Sequence, residues 1–192
     1  MKKTLLGFLK SAVIFRGVFY TAQVIAAPQD WLQIKRPIPA EDGRPQPIGS
    51  YTNGCLIGAQ PLPYKGVGYQ VIRMNKNRYY GHPDMISYLQ RLGERAKAAG
   101  LPTMLVGDIA MPGGGRFLTG HASHQMGLDA DIWLRMGAMS DTDALNSDGK
   151  GLLVVNRKAQ RVDESIWNAN HAKLIKLAAE DPKVTRIFVN PA

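Results

Sequence analysis

The chain has 192 residues, 45% of them hydrophobic and 20% charged, with a formal net charge of +9 and a single cysteine. That length fits one domain, since domains usually run to about 100–200 residues, and the balance of apolar and charged residues excludes an intrinsically disordered chain. A positive excess favours anionic partners in general, but no basic helix or aromatic-studded basic strand accompanies it, which excludes nucleic acid as the expected partner.

In chain order, the first 27 residues contain no acidic group; Met1-Lys2-Lys3 opens them and Val24-Ile25-Ala26-Ala27-Pro28 closes them. A basic start, an apolar middle and small residues at a possible cut resemble a secretory signal peptide over residues 1–26. Cleavage is expected after Ala26, because a cut after Ala27 leaves proline at the new terminus. Lys10 and Arg16 interrupt the apolar region, so the alternative is an amphipathic N-terminal helix or an uncleaved anchor. No run reaches the ~20 apolar residues of a transmembrane helix. The expected mature domain, residues 27–192, therefore has no stable membrane insertion. Loss of Lys2, Lys3, Lys10 and Arg16 lowers its charge from +9 to +5.

Residues 36–54, rich in proline and glycine, read as a loop-like entry. The alternation in 68–75 predicts a strand. Residues 83–100 predict a helix, with Met85, Ile86, Leu89 and Leu92 at helical spacing, Pro83 in the first turn and Gly100 as the stop. Residues 102–111 predict a short buried strand followed by a glycine-rich loop. In 128–134, Leu128, Ala130, Ile132 and Leu134 share one face of a predicted strand, while Asp129, Asp131 and Trp133 share the other. A second helix is expected over 164–182 and a third strand over 184–190. The fold class is α+β: one domain, a largely antiparallel sheet and helices packed on one face.

The densest chemistry lies in GGGRFLTGHASHQMGLDADIWL, residues 113–134. Six residues separate His124 from Asp131, and Gly127 between them eases the curl that would bring the two together. An imidazole nitrogen and a carboxylate oxygen both ligate zinc, at about 2.0–2.2 Å. A buried aspartate is costly alone and favourable beside a metal. The alternative is a polar loop with an N-cap and a surface strand, because two ligands do not make a catalytic zinc site. MPGGGRF lacks the Gly-Lys-Ser/Thr of a phosphate loop. Its glycines are expected instead to let the backbone approach an extended peptide substrate, with Arg116 placed to pair with a substrate carboxylate. Cys55 reads either as a small buried hydrophobe or as half of a disulfide whose partner lies beyond Ala192.

GHASHQMGLDADI closely resembles the His-x6-Asp metal motif of the penicillin-insensitive murein endopeptidases, a branch of the zinc peptidases that include lysostaphin-type and D-Ala-D-Ala-cleaving enzymes. SYTNGCLIGAQPLP, NRYYGHPD, GDIAMPGGGRF and LIKLAAEDPKVTRIFVNPA are similar to segments of the same family in the same order. The resemblance implies a periplasmic Zn2+ endopeptidase that cuts the peptide cross-links of peptidoglycan and ignores β-lactams because it uses no acyl-serine.

Carried over by position, His124 and Asp131 match two metal ligands. His121 matches a neighbouring histidine of the metal centre, or else hydrogen-bonds the loop. Asp129 matches no ligand and is expected to orient the loop or a ligand imidazole. Asp148, in DGKG, stands where relatives carry Asp-Gly-Lys-His, but Gly151 cannot ligate, so an auxiliary metal site there is incomplete. The family's later His-x-His pair, which supplies the third ligand and the catalytic histidine, is absent. His82 lies in GHPD, and His171 is expected to be a packing or surface residue of the second helix. The expectation is that the catalytic residue, and a disulfide partner for Cys55, belong to a segment following FVNPA, so that this chain alone binds zinc weakly and cuts little. Two other readings share the scaffold: a non-catalytic peptidoglycan-binding or regulatory protein, and a D,D-dipeptidase or carboxypeptidase.

Overall fold

The structure, a computed structural model, describes residues 33–147 and 152–189. Its centre is a four-stranded sheet ordered β4 (Lys65–Gly66), β5 (Tyr69–Val71), β7 (Met104–Val106), β8 (Ile132–Trp133). The β4–β5 and β7–β8 pairs are antiparallel, and only β5–β7 is parallel. A parallel neighbour needs a long crossover, which here contains helix α1 (Pro83–Ala98).

The sequence of α1 accounts for both of its ends. His82 caps it by accepting the Asp84 N–H on Nδ1 at 3.2 Å, and Pro83 follows at the first helical position, where a missing N–H costs nothing. Ile86, Leu89, Leu92 and Ala96 recur at helical spacing and form the buried face. They pack with Tyr69, Val71, Met104 and Val106 of the sheet and with Leu174 and Ala178 of α3 (Ala169–Ala179). The two long helices thus share one face of the sheet, as the alternation and helix periodicity predict. α3 begins at a capping box in which the Asn168 N–H bonds His171 Nδ1 at 3.0 Å. His171 is buried against Trp167, at 5.2 Å between ring centroids, and is a cap rather than a ligand.

A third, short helix was not anticipated. α2 (Asp141–Asn146) covers the other face of the sheet, where Ala144 packs on Ile72 and Leu105. The same face holds a buried Gln70, whose amide both donates to Met139 O (3.0 Å) and accepts from Met139 N (2.8 Å). A polar side chain on that face keeps both hydrogen-bonding groups satisfied.

The proline-rich entry also departs from expectation. Residues 36–54 are not wholly loop, because β1 (Gln46–Ser50) and β2 (Asn53–Ile57) form an antiparallel hairpin with Ile48 opposite Cys55. Its strand-breaking composition masks pairing that tertiary contacts enforce: Leu56 is fully buried, and its N–H bonds Gly113 O at 3.0 Å. The smaller pairs β3 (Gln60–Pro61) with β6 (Tyr80–Gly81), and β9 (Val155–Asn156) with β10 (Arg161–Val162), complete the sheet elements among the described residues.

Two strand expectations shorten and a third is not met. Residues 72–75 leave the sheet because Arg73 turns into the left-handed region (φ 59) ahead of a 3-10 turn at Met74–Lys76. Residues 184–189 form no strand. Of 128–134, only Ile132–Trp133 pair as a strand, although Asp131 continues the backbone contact through its N–H to Asp108 O and its O from Gly107 N–H, both 2.8 Å. Among the described residues, no helix is long and apolar enough to cross a membrane.

Candidate metal centre

The segment ahead of β8 folds back on itself. His124 has φ 71 and Gly127 φ 64, so the chain takes two left-handed steps within four residues. For histidine that conformation is uncommon; at 127 it is coupled to lack of space. A Cβ on Gly127 would lie 2.6 Å from Leu56 Cδ2 and 3.0 Å from both Gly81 Cα and His82 N. The curl expected from glycine is thus present, and Gly127 O receives the His82 N–H at 2.9 Å, tying it to the start of α1. Gly127→Ala should cost about 1–3 kcal/mol from strain and overpacking, to be read as a lower midpoint in urea unfolding; an unchanged midpoint would mean that the loop relaxes freely.

Gln125 anchors the same turn to the hairpin. Its amide donates to Thr52 O and Ala122 O, both 2.8 Å, and accepts the Gly54 N–H at 3.1 Å. Its backbone O takes the Gly115 N–H at 3.0 Å. Here the glycine run finds its use, which is not the expected one. A Cβ on Gly114 would fall 2.2 Å from Gln125 O and 2.7 Å from Leu56 N. These glycines are buried, and they let the loop approach the protein's own hairpin and His124–Gln125 turn rather than a substrate.

The curl sets four side chains against one another. His124, with 2% of its side chain exposed, is flanked by two carboxylates: Asp129 Oδ2 is 3.0 Å from Nδ1, and Asp131 Oδ1 is 3.5 Å from Nε2. The second oxygen of Asp131 is 3.3 Å from His121 Nε2. Nε2 of His124 is buried and makes no hydrogen bond; its line to Asp131 is a charge contact only. His121, His124 and Asp131 each offer one donor atom, all within 4.8 Å of one another. His121 and Asp131 are 48% and 31% exposed, so the cluster opens to solvent on one flank.

The charges are coupled. Burial pulls the His124 imidazole towards neutrality, but the neighbouring carboxylates of Asp129 and Asp131 outweigh it and lift the pKa to about 10. For Asp131, burial works to raise the pKa, and the contact with His124, helped by His121 and Arg73, brings it below the usual carboxylate value.

Beyond the cluster, Phe117 stacks on His124 at 5.5 Å between centroids, and the Arg78 guanidinium sits 4.0 Å from the Phe117 centroid. Arg78 bonds fully buried Asp108 at 2.9 Å, and Arg73 bonds the same oxygen at 3.1 Å. Nothing in residue spacing pointed to Gln125, Phe117, Arg78 or Asp108. The sign available in sequence was that Asp108 is the one charged residue in the apolar run of residues 104–111.

The expected site residues therefore separate. His121, His124 and Asp131 come together, and Asp129 stands behind His124. Arg116 is exposed on the loop just before Phe117. His82 and His171 serve as helix caps. Cys55 is a partly buried free thiol on β2, and burial raises its pKa. Asp148 and residues 1–26 lie outside the described residues.

Fold and cluster together define a mixed α+β domain with a histidine–carboxylate group suited to a divalent cation. The sequence profile of the penicillin-insensitive murein endopeptidases matches residues 47–192. A penicillin-insensitive murein endopeptidase of Haemophilus influenzae is 79% identical over 184 residues, covering 96% of this chain and 64% of its own length. Relatives of the same name from Salmonella arizonae and Salmonella paratyphi B are 46% identical over 183 residues, covering 95% of this chain and 65% of theirs. The chain belongs to the penicillin-insensitive murein endopeptidase family, and it spans slightly under two thirds of the length of these curated relatives.

Proposed function

We propose that this chain is the metal-binding part of a zinc-dependent endopeptidase that cuts peptide cross-links of peptidoglycan in the periplasm. The observation that carries the reading is the buried, unbonded His124 Nε2 facing Asp131 across 3.5 Å, with His121 beside them. The relatives' printed names supply the substrate class.

The residues present fit zinc. A nitrogen–nitrogen–oxygen donor set is of the kind zinc takes in catalytic sites. With zinc bound, His124 would keep its proton on Nδ1, which faces the Asp129 carboxylate at 3.0 Å and the Asp129 carbonyl oxygen at 3.5 Å, and would present the Nε2 lone pair to the ion. When bound, zinc supplies Lewis acidity, polarising a carbonyl and lowering the pKa of water. The chain's own residues hold and orient that centre: His124 and Asp131 as ligands, His121 as the third donor on the solvent-open flank, and Asp129 as the group that fixes the imidazole. Arg116, exposed on the loop before Phe117, is the residue proposed to meet a substrate carboxylate.

The test compares the 192-residue chain with the full-length Haemophilus influenzae relative, 64% of which it covers. Both are purified from periplasmic fractions and incubated with peptidoglycan, with and without chelator, and the released muropeptides are separated by chromatography. The longer protein should give chelator-sensitive loss of cross-linked species. The shorter should give little, since a general acid–base residue is worth about 10²–10⁴-fold and none is assigned among its donors. Binding without any chelator-sensitive cleavage by either protein would favour a non-catalytic wall-binding protein. Release of terminal residues with cross-links intact would favour a carboxypeptidase.

A further inference from the structure

A metal-ligating imidazole must be fixed in two respects: which nitrogen faces the ion, and the plane in which the ring lies, because the lone pair lies in that plane. Asp129 fixes the first through Nδ1. Both Asp129 contacts, the carboxylate at 3.0 Å and the carbonyl oxygen at 3.5 Å, act at this one nitrogen and not on the ring face, and His124 already sits on a left-handed backbone. The plane needs a second support.

Phe117 is positioned to give it. Its ring is 3% exposed and lies within 16° of parallel to the His124 ring at 5.5 Å. Phe117 is itself braced: the Arg78 guanidinium lies over it, 4.0 Å from the centroid. Arg78 cannot wander, because one nitrogen bonds Asp108 at 2.9 Å and the other bonds Thr119 O at 3.1 Å. Thr119 is in the same loop as His121, so the guanidinium also ties down the backbone from which that histidine projects. The brace begins at a carboxylate with no solvent exposure and ends at the ring carrying the unbonded nitrogen.

We propose that Phe117, held in place by Arg78 and Asp108, is a positioning residue that sets the plane of the His124 imidazole for metal binding. The inference rests on the reading of His124 as a zinc ligand. It adds a residue that touches neither metal nor substrate, and it makes the aromatic faces of Phe117, rather than its bulk, the property that matters.

The test uses zinc affinity by competition with a chromophoric chelator, and the visible spectrum of the cobalt-substituted protein, on the full chain. Phe117→Leu keeps an apolar side chain but loses the planar faces. It should weaken zinc binding about 10–100-fold, the range typical of groups that orient a ligand, and shift the cobalt bands. Phe117→Tyr keeps the ring and should restore affinity and spectrum to near wild type. A residue that only fills space would lower the melting temperature of the zinc-free chain and leave both readouts unmoved; that result overturns the inference. If Phe117→Leu does not fold, Phe117→Met, whose flexible side chain fills irregular gaps, is read by the same criteria. Wild-type protein that binds no zinc overturns the ligand assignment and this inference with it. Wild-type binding unaffected by loss of the ring overturns this inference alone.

Discussion

His124→Ala and Asp131→Ala should each remove measurable zinc binding by the 192-residue chain, whereas Asp129→Asn should weaken it only about 10–100-fold, as expected for a group that orients a ligand. The distinction comes from geometry. Asp131 faces the unbonded Nε2 and shares its other oxygen with His121, while Asp129 faces Nδ1, on the far side of the same ring. Proton accounting provides a second readout. Without metal, Asp129 and Asp131 raise the His124 pKa to about 10, so zinc binding at neutral pH should release a proton from His124, and calorimetry in buffers of different ionisation heat will detect it. The sign for stability follows. A histidine pKa raised above its ordinary value of about 6.5 stabilises the metal-free fold fully below that pH, and this contribution is lost as pH rises through about 10. The metal-free His124→Ala chain should therefore lack that part of the wild type's fall in stability towards pH 10. If Asp129→Asn removes binding and Asp131→Ala spares it, the roles of the two carboxylates are reversed.

The parts of this molecule that were legible in the sequence are those in which local chemistry and tertiary structure agree. α1 could be placed to within two residues because cap, proline, apolar spacing and terminal glycine all point to one helix. The His124–Gly127–Asp131 curl was legible for the same reason: glycine allows the turn and the two polar side chains need each other. Asp129 and Asp131 were expected on one strand face, and both do turn to His124, though from an extended approach rather than from the paired strand.

Other features depend on partners far along the chain. The β1–β2 hairpin has proline at 47 and glycine at 49 and 54, a composition that argues against strands, yet Gln125 holds it from 71 residues away. Gly113–Gly115 carry the glycines of a substrate-approach loop, but Gly113 packs against the side chains of Ile34 and Ile38, Gly114 against the backbone of Leu56 and Gln125, and Gly115 N–H bonds Gln125 O. The short helix α2 has little apolar periodicity to reveal it, because a single residue, Ala144, is its buried anchor. The brace from Asp108 through Arg78 to Phe117 and His124 spans segments whose spacing follows no motif, so only their packing could reveal it.

That brace leads to the largest expected effect on folding. Asp108 has no exposed surface, and its Oδ2 receives two guanidinium groups. Burying such charges is expensive, and the arrangement is stable only while each compensates the other. Asp108→Ala leaves Arg78, itself nearly buried, without its counter-charge, whereas Arg73, at 21% exposure, can turn towards solvent. Removing one partner of a buried pair typically costs about 3–5 kcal/mol, a large share of the about 5–15 kcal/mol that holds a domain together. For a chain of this size the melting temperature should fall by on the order of 10 °C. The second half of a double-mutant cycle decides whether charge is the cause. Arg78→Met in the Asp108→Leu background replaces the stranded cation and its partner with apolar side chains of similar reach, and should recover much of the lost stability. It should not recover zinc affinity, because the cation over Phe117 is gone as well. Stability and metal binding would then separate in one protein, showing that the buried carboxylate supports the fold through charge compensation and the site through the position of Arg78. If the double variant is no more stable than Asp108→Leu alone, the cost lies in packing rather than in an uncompensated charge.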